Sequence, residues 1–133
     1  MASESQVHAA IDTLTASTLS SYAVLYGGME DPSLSLGTAP FVRQSVQFQS
    51  NNQAELTGRC FRRHRGYVIF FIHWRKDTGD ASRNTIKTLI ERAFVSTNVG
   101  GATMENSRVI PVSPTDNWNI LGVQVSFYFD EVT

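Results

Sequence analysis

The longest apolar run of the chain predicts a central β-strand. It extends from Gly66 to Lys76 and is rich in β-branched and aromatic residues, which favour strands. Successive side chains of a strand point to opposite faces. One set is apolar throughout and predicts a core face: Val68, Phe70, Ile72 and Trp74. The other set is apolar in its middle and polar at its end: Tyr67, Ile69, Phe71, His73 and Arg75. We expect the chain's own helices to cover the first face. The second face is a candidate for burial against another subunit.

Two segments have the spacing of amphipathic helices. The first extends from about Glu4 to Ser20, and its Ser- and Thr-rich second half predicts early fraying. The second follows a turn at residues 77–80, and we expect it to end near Asn98. Asp80 is predicted to cap its N-terminus through the side chain. Its apolar stripe is the most regular in the chain: Ile86, Leu89, Ile90, Ala93 and Phe94.

Polar and apolar residues alternate in several further segments, which predict additional strands. Phe41–Phe48 is predicted to be half-buried, and Leu56–Arg65 is predicted to return from a polar tip at Ser50–Gln53. Leu56–Arg65 is mostly polar or basic, so we expect it to project beyond the sheet.

The remaining extended segments are shorter or lie near the C-terminus. Tyr22–Tyr26 is compatible with a short strand, and Arg108–Val112 is predicted to be an edge strand because of Pro111. Leu121–Asp130 is predicted to be the last strand. Its core-facing residues would be Val123, Val125, Phe127 and Phe129.

This order of elements predicts one domain over residues 1–133, of the α+β class. We expect a mostly antiparallel sheet of about four strands, two helices packed on one face, and a projecting basic hairpin. No apolar run approaches the roughly 18 residues that would span a membrane. The polar N-terminus does not have the pattern of a signal peptide. The single Cys60 excludes an intrachain disulfide, and we expect folding in a reducing cytoplasm.

The formal net charge is −1, but the charges are unevenly distributed. Basic residues are concentrated in the middle of the chain: Arg59, Arg62, Arg63, Arg65, Arg75, Lys76, Arg83, Lys87 and Arg92. Most acidic residues lie in the outer segments: Glu4, Asp12, Glu30, Asp31, Glu105, Asp116, Asp130 and Glu131. This segregation suits head-to-tail association or an anionic partner. A solvated charged face without a specific partner is the alternative.

The sequence contains few candidate catalytic residues. The chain has no His-Glu-x-x-His motif, no Gly-x-Ser-x-Gly elbow and no phosphate-binding loop. His73 with Asp77 is compatible with an acid–base pair, but a structural histidine at a strand end is favoured. Cys60 lies among arginines that would lower its pKa, but no base is placed beside it. We therefore expect no catalytic residue, no cofactor and no metal site.

The sharpest local feature is a basic cluster made of Arg59, Arg62, Arg63, His64 and Arg65. Arginine binds carboxylates and phosphates through paired hydrogen bonds. With Phe61 and Tyr67 interleaved, the cluster resembles a platform for single-stranded nucleic acid. The domain as a whole is not basic, however, and acidic residues elsewhere are candidate partners. Protein–protein pairing is therefore favoured, with nucleic-acid binding and solvated charge as the alternatives.

Taken together, these features resemble the tail-terminator, or tail-completion, proteins of long-tailed bacteriophages with non-contractile tails. The resemblance lies in a hairpin that ends in Arg62-Arg63-His64-Arg65-Gly66, followed by a hydrophobic strand, a Gly-Asp turn and an amphipathic helix. Alternating apolar residues from Gly122 to Asp130 close the pattern.

The resemblance implies a structural protein that is not an enzyme. Such proteins form a homohexameric ring on the last ring of tail-tube subunits, end tube growth and present a surface to the connector proteins of the filled head. The ring would lie in the virion tail, at the end near the head, after assembly in the cytoplasm of the host bacterium. Its partners would be other copies of itself, the tube protein and the connectors, and genome DNA would pass through its lumen. No membrane partner is implied.

A ring needs two different complementary patches on each subunit. The arginine hairpin, the second face of the central strand and the polar tip are the candidate patches. The residues concerned are Arg59, Arg62, Arg63, Arg65, Tyr67, Ile69, Phe71, Asn51 and Asn52. Two other functions stay open: a head-completion or stopper protein of the phage neck, and a single-stranded nucleic-acid-binding domain.

Overall fold

A computed structural model describes residues 3–27, 39–56, 59–76, 79–115 and 117–132, with only the backbone for residues 50–56, 59–61 and 132. The described residues form two helices and six strands. They are α1 Glu4–Thr18, β1 Ala23–Tyr26, β2 Phe41–Leu56, β3 Arg59–Arg75, α2 Ala81–Phe94, β4 Asn98–Val99, β5 Ala102–Pro111 and β6 Trp118–Val132.

The strands form one sheet in the order β1-β2-β3-β6-β5-β4. β1 pairs with β2 in parallel, and every other pairing in this sheet is antiparallel, so the sheet is mixed. The α+β class is confirmed, whereas the prediction of about four strands was wrong. β1 lies within the short segment predicted at Tyr22–Tyr26, whereas β4 has only two residues and was not predicted. Segments of that length are too short to show a reliable alternation of polar and apolar residues.

The core lies between the helices and one face of the sheet. Val68, Phe70 and Ile72 of β3 are fully buried, as predicted, and Trp74 is 6 % exposed. The Phe94 ring of α2 lies 5.0 Å from the Phe70 ring, measured between centroids. The other elements add buried residues to the same cluster: Val7 and Ile11 of α1, Ile86 and Ile90 of α2, and Val123, Val125, Phe127 and Phe129 of β6.

Helix α1 begins at the predicted residue and ends at Thr18, slightly before the predicted end. Ser3 and Gln6 form a capping box, in which the Gln6 backbone N–H donates to Ser3 Oγ and the Ser3 N–H donates to Gln6 Oε1. In the Ser- and Thr-rich second half, residues 15–18 are helical, and the last two residues of the predicted helix are not. Thr15 is fully buried in that second half, and its hydroxyl contacts Gln44 of β2.

Helix α2 begins at the predicted position, but the predicted cap is absent. Asp80 makes no side-chain hydrogen bond to the first turn. Its carboxylate instead accepts a hydrogen bond from the Trp74 indole N–H at 3.2 Å. The helix ends at Phe94, earlier than predicted, and Ser96 then adopts a left-handed conformation with φ of 58°.

β2 and β3 continue beyond Gly66 into an arm, which we define as residues 50–56, 59–65 and 128–132. The base of the arm still belongs to the core, because Phe129 and His64 are buried there. The predicted polar tip at Ser50–Gln53 was wrong, because these residues pair with Arg62–Arg65 of β3. Antiparallel pairing requires only backbone hydrogen bonds, so polar side chains do not end a strand. β6 runs along the other side of β3 and reaches Val132, opposite Phe61. The basic hairpin is therefore part of a three-stranded arm.

Gly66 lies where the arm begins. The register of β2 and β3 shifts between Phe48 and Ser50, directly opposite Gly66. A Cβ atom on Gly66 would lie 2.3 Å from the Gln47 carbonyl oxygen and 2.9 Å from Phe127 Cζ. Only glycine allows the two strands and the Phe127 ring to approach so closely, and this agrees with the bulge or bend that the sequence predicted here.

Candidate functional site

The arm divides the predicted arginines into two groups. Arg63 already has a partner within its own chain: its Nε and Nη2 donate to the two carboxylate oxygens of Asp130 at 2.8 and 2.9 Å. The Arg63 guanidinium also lies 4.8 Å above the Tyr128 ring. The hydrogen bond from Arg63 lowers the pKa of Asp130 below its ordinary value, and the positive charge acts in the same direction. Arg63 is thus held by the fold itself.

Arg62 and Arg65 have no such acidic partner among the described residues. Both are exposed. Arg65 lies over the Tyr128 ring, 5.8 Å from its centroid, and its positive charge adds to the effect of Arg63 in lowering the pKa of Asp130. The two residues are three positions apart in β3, so their side chains leave opposite faces of the arm. The arm therefore presents one available guanidinium on each face. The predicted residues Arg59, Asn51 and Asn52 lie in the arm's strands, but their side chains are outside the described part.

His64 belongs to the same sequence cluster but faces inwards. It is 4 % exposed, and its ring stacks on Phe129 with centroids 4.6 Å apart. Its Nδ1 lies 3.3 Å from Glu4 Oε1, and its Nε2 lies 3.4 Å from Glu131 Oε1. His64 thereby joins the start of α1 to the arm, and it is not part of the surface that the arginines form.

The second face of β3 is half-buried at the predicted positions Tyr67, Ile69 and Phe71. Gly122 of β6 lies between Phe71 and Ile110: an added Cβ would be 3.6 Å from Phe71 Cε1 and 3.2 Å from Ile110 Cβ. Because Gly122 has no side chain, the surface between Phe71 and Ile110 is shallow. It is apolar, and the helices lie on the other face of the sheet.

One end of this second face is closed by aromatic side chains that the sequence did not reveal. His73 stacks on Phe41 with centroids 4.3 Å apart, and Phe41 meets the Trp118 ring edge-on at 5.0 Å. Phe41 and Trp118 are 2 % and 6 % exposed. Phe41 shares its side of β2 with polar residues, so the alternation gave no sign of its burial.

The catalytic candidates are not brought together in the described residues. His73 Nδ1 lies 3.0 Å from the Phe71 carbonyl oxygen, whereas Asp77 is outside the described part, as is the side chain of Cys60. The described residues contain no cluster of three potential metal ligands. None of the described helices is long and apolar enough to cross a membrane.

A polar cavity beside β1 was not predicted. It has a volume of about 320 Å³ and lies between α1 and the end of β1, lined by His8, Asp12, Tyr26, Gly27, Gln44, Ser45, Val46 and Gln47. Gln44 is 2 % exposed and organises its inner wall. The only sequence signal was a glutamine on the core side of β2, between Val42 and Val46.

Asp12 is the acidic group of this cavity. Its Oδ1 accepts a hydrogen bond from Gln44 Nε2 at 2.6 Å and lies 3.7 Å from His8 Nε2. Burial raises the pKa of the Tyr26 hydroxyl, and the negative charge of Asp12 raises it further. The Tyr26 hydroxyl thus stays protonated at neutral pH, and the Asp12 carboxyl group faces both Gln44 and His8.

Comparison with known proteins supports the fold. No protein-family model and no curated protein matches the sequence. The solved structures that are similar to this chain include one protein of unstated function, with a TM-score of 0.68 and 12 % sequence identity. The match covers 98 % of this chain and 96 % of that protein. At this level of identity the similarity concerns the fold alone, and function has to be argued from the surfaces.

Proposed function

We propose that this chain is a structural phage protein, a tail terminator that assembles into a homo-oligomeric ring on the tail tube. The ring would be a hexamer, as the sequence resemblance implies. It would end tube growth and offer the attachment surface for the head connector. The work of the protein would then be done by surfaces that meet other proteins, and no reaction centre is required.

The observation that carries this proposal is the arm. Arg62 and Arg65 leave its two faces without an acidic partner among the described residues, whereas Arg63 is held by Asp130. Exposed, unpaired guanidinium groups on a three-stranded extension suit contact with carboxylates of a neighbouring protein. The half-buried Tyr67, Ile69 and Phe71 add an apolar surface that a neighbour would cover.

Tube polymerisation gives a direct test. Purified tube protein is allowed to polymerise with increasing amounts of this chain, and tube lengths are measured by electron microscopy. We expect shorter tubes that carry a ring at one end. Tube lengths that do not depend on the chain, with no ring at either end, would contradict the proposal.

A neck connector is the second candidate, because an arm with free arginines on both faces also suits a protein placed between two others. Electron microscopy of particles assembled without this chain separates the two functions. Overlong tails identify a terminator. Tails of normal length that are detached from heads identify a head-completion or stopper protein.

A further inference from the structure

The second face of β3 continues across the neighbouring strands as the second face of the sheet, on the side away from both helices. Residues directly opposite each other on paired strands share a face, so Ile110 of β5 and Ile120 of β6 lie on the same side as Phe71. These three side chains and Ile69 are half-buried. Because both helices lie on the other side of the sheet, no described helix covers this apolar centre.

Four arginines surround the apolar centre, and we call them the rim. Arg43 of β2 and Arg108 of β5 lie on this same face, on opposite sides of the centre. Neighbouring strands are about 4.8 Å apart, so roughly 14 Å separates the two backbones across the sheet. Arg65 and Arg75 lie towards the two ends of β3, about 33 Å apart along the strand. The second face of the sheet thus has an apolar centre with cationic side chains on all sides.

The rim carries more positive than negative charge. Arg43 and Arg108 form no ion pair with any described residue. Among the described residues, the acids near this face are Asp130, which Arg63 already holds, and Glu105, which lies in the bulge of β5. The arginines on the two sides of the centre are therefore available for carboxylates of another molecule.

We propose that the second face of the sheet docks a different protein, one that presents an apolar projection flanked by carboxylates. The proposal rests on the proposed assembly function and names the chemistry of the partner. Phe71 and Ile110 would contact the apolar projection, and Arg43 and Arg108 would bind the carboxylates through paired hydrogen bonds. An apolar centre with a polar rim is the usual anatomy of a protein interface, and arginine is enriched there.

A second copy of this chain fits the face less well. Two copies that met through this face would place arginines against arginines, which is unfavourable. The acids of helix α1 already have contacts within their own chain, because Glu4 lies beside His64 and Asp12 accepts a hydrogen bond from Gln44. Charge complementarity therefore favours a partner that brings an acidic surface of its own.

A single-stranded nucleic acid also fits less well. Proteins that bind single strands combine a continuous basic groove with aromatic rings on which the bases stack. The centre of this face is mostly aliphatic, with Ile69, Ile110 and Ile120, and the arginines stand apart around it. The surface lacks a continuous basic track, so we favour a protein and let the experiment exclude nucleic acid.

Selection from a random peptide library displayed on yeast tests the chemistry of the partner. The full-length chain is the bait, and no tube protein is present. We expect the enriched peptides to carry a net negative charge and at least one large apolar residue. Arg43→Glu combined with Arg108→Glu should weaken the binding of these peptides at least tenfold, because the charge on both sides of the centre is reversed.

The matched control is Lys87→Glu combined with Arg92→Glu, which changes the net charge equally on α2, on the other side of the sheet. It should bind the selected peptides like the wild type. Arg43 is half-buried, so a melting curve checks the folding of the double variant. Arg108 is exposed, and Arg108→Glu alone should weaken peptide binding at least threefold.

Several results would overturn the proposal. They are the enrichment of no peptide, the enrichment of peptides without an excess of acidic residues, and equal binding of the selected peptides by the rim variant and the control. Binding of single-stranded oligothymidine is measured in parallel at the same salt concentration. If the oligonucleotide binds more tightly than the peptides and the same rim variant weakens it, the face binds nucleic acid. The assembly function is tested separately, by whether the wild-type chain caps tubes.

Discussion

At the scale of the residue, Gly66 and the Arg63–Asp130 pair determine how the arm is attached and how its charge is distributed. Gly66 lets the Gln47 carbonyl and the Phe127 ring approach β3 more closely than any side chain would allow. Asp130 pairs with one of the three arginines of the arm whose side chains are described. The sequence showed the glycine and the arginines, but it did not show which arginine is paired, because Asp130 is 67 residues away in the chain.

The first prediction concerns Gly66. Gly66→Ala should lower the free energy of unfolding by about 3 kcal/mol, because the new methyl group collides with backbone and with a buried ring. Denaturant unfolding measures the change. Gly27→Ala is the matched control, since its Cβ would meet only the Gln44 carbonyl oxygen at 3.9 Å. Equal stabilities of the two variants would show that the close approach at Gly66 is wrong.

The second prediction concerns pH. The pKa of Asp130 is lower in the folded chain than the ordinary value of 3.8, chiefly through its hydrogen bond with Arg63. The Arg63–Asp130 pair therefore stabilises the fold at pH values above the pKa of an unpaired aspartate. This stabilisation is lost as the pH falls through the pKa of Asp130 in the folded chain. Asp130→Asn should remove this part of the acid dependence. Melting temperatures of wild type and variant between neutral and strongly acidic pH should converge as the pH falls. Curves that stay parallel would contradict the pairing.

At the scale of the element, sequence patterns gave the long segments and missed the short ones. The core faces of β3, α2 and β6 were predicted because many apolar residues in each element recur at the spacing of a strand or of a helix. β4 and the first half of β5 were missed, because pairing partners far along the chain define them. For the same reason, the sequence predicted a polar tip and a separate strand where the structure has one continuous arm. The pairing of Asn51 and Asn52 with β3 cannot be recognised from local composition.

The candidate site was predicted only in part. The basic cluster was visible in the sequence, but the inward turn of His64 and the pairing of Arg63 depend on β6 and α1. The cavity beside β1 combines residues of α1, β1 and β2, whose proximity is a property of the tertiary fold. Tertiary context overrides local pattern most strongly at such places.

The third prediction concerns the attachment of α1 to the sheet. The Thr15 hydroxyl donates to Gln44 Oε1 at 2.5 Å, and both side chains are buried. Thr15→Val keeps the shape but leaves a buried amide oxygen without its donor, which should cost about 2 kcal/mol of unfolding free energy. Thr13→Val is the control in the same helix, because the Thr13 hydroxyl is exposed and bonds only within the helix. A loss for Thr15→Val no larger than that of the control would contradict this anchoring role.

At the scale of the whole molecule, the sheet has different surfaces at its two edges and an arm at one end. Such a polarised shape suits a subunit of a closed ring, in which each copy meets two neighbours through different patches. The arm would then contact whichever protein the exposed arginines meet.

The fourth prediction concerns the arm. Arg62→Glu combined with Arg65→Glu should impair assembly, because both unpaired guanidinium groups are reversed, while the melting temperature stays near that of the wild type. Lys76→Glu combined with Arg92→Glu is the matched control, since it changes the net charge equally at two exposed positions elsewhere. Sedimentation of each variant with tube protein measures assembly. If the arm variant assembles like the control, the arginines have no part in it.

The mass of the wild-type assembly tests the proposed ring most directly. Native mass spectrometry over a wide range of concentrations, with and without tube protein, counts the copies in each particle. We expect a closed homo-oligomer of six copies, formed either alone or on meeting the tube. A chain that stays monomeric at every concentration and in the presence of tubes would contradict the ring.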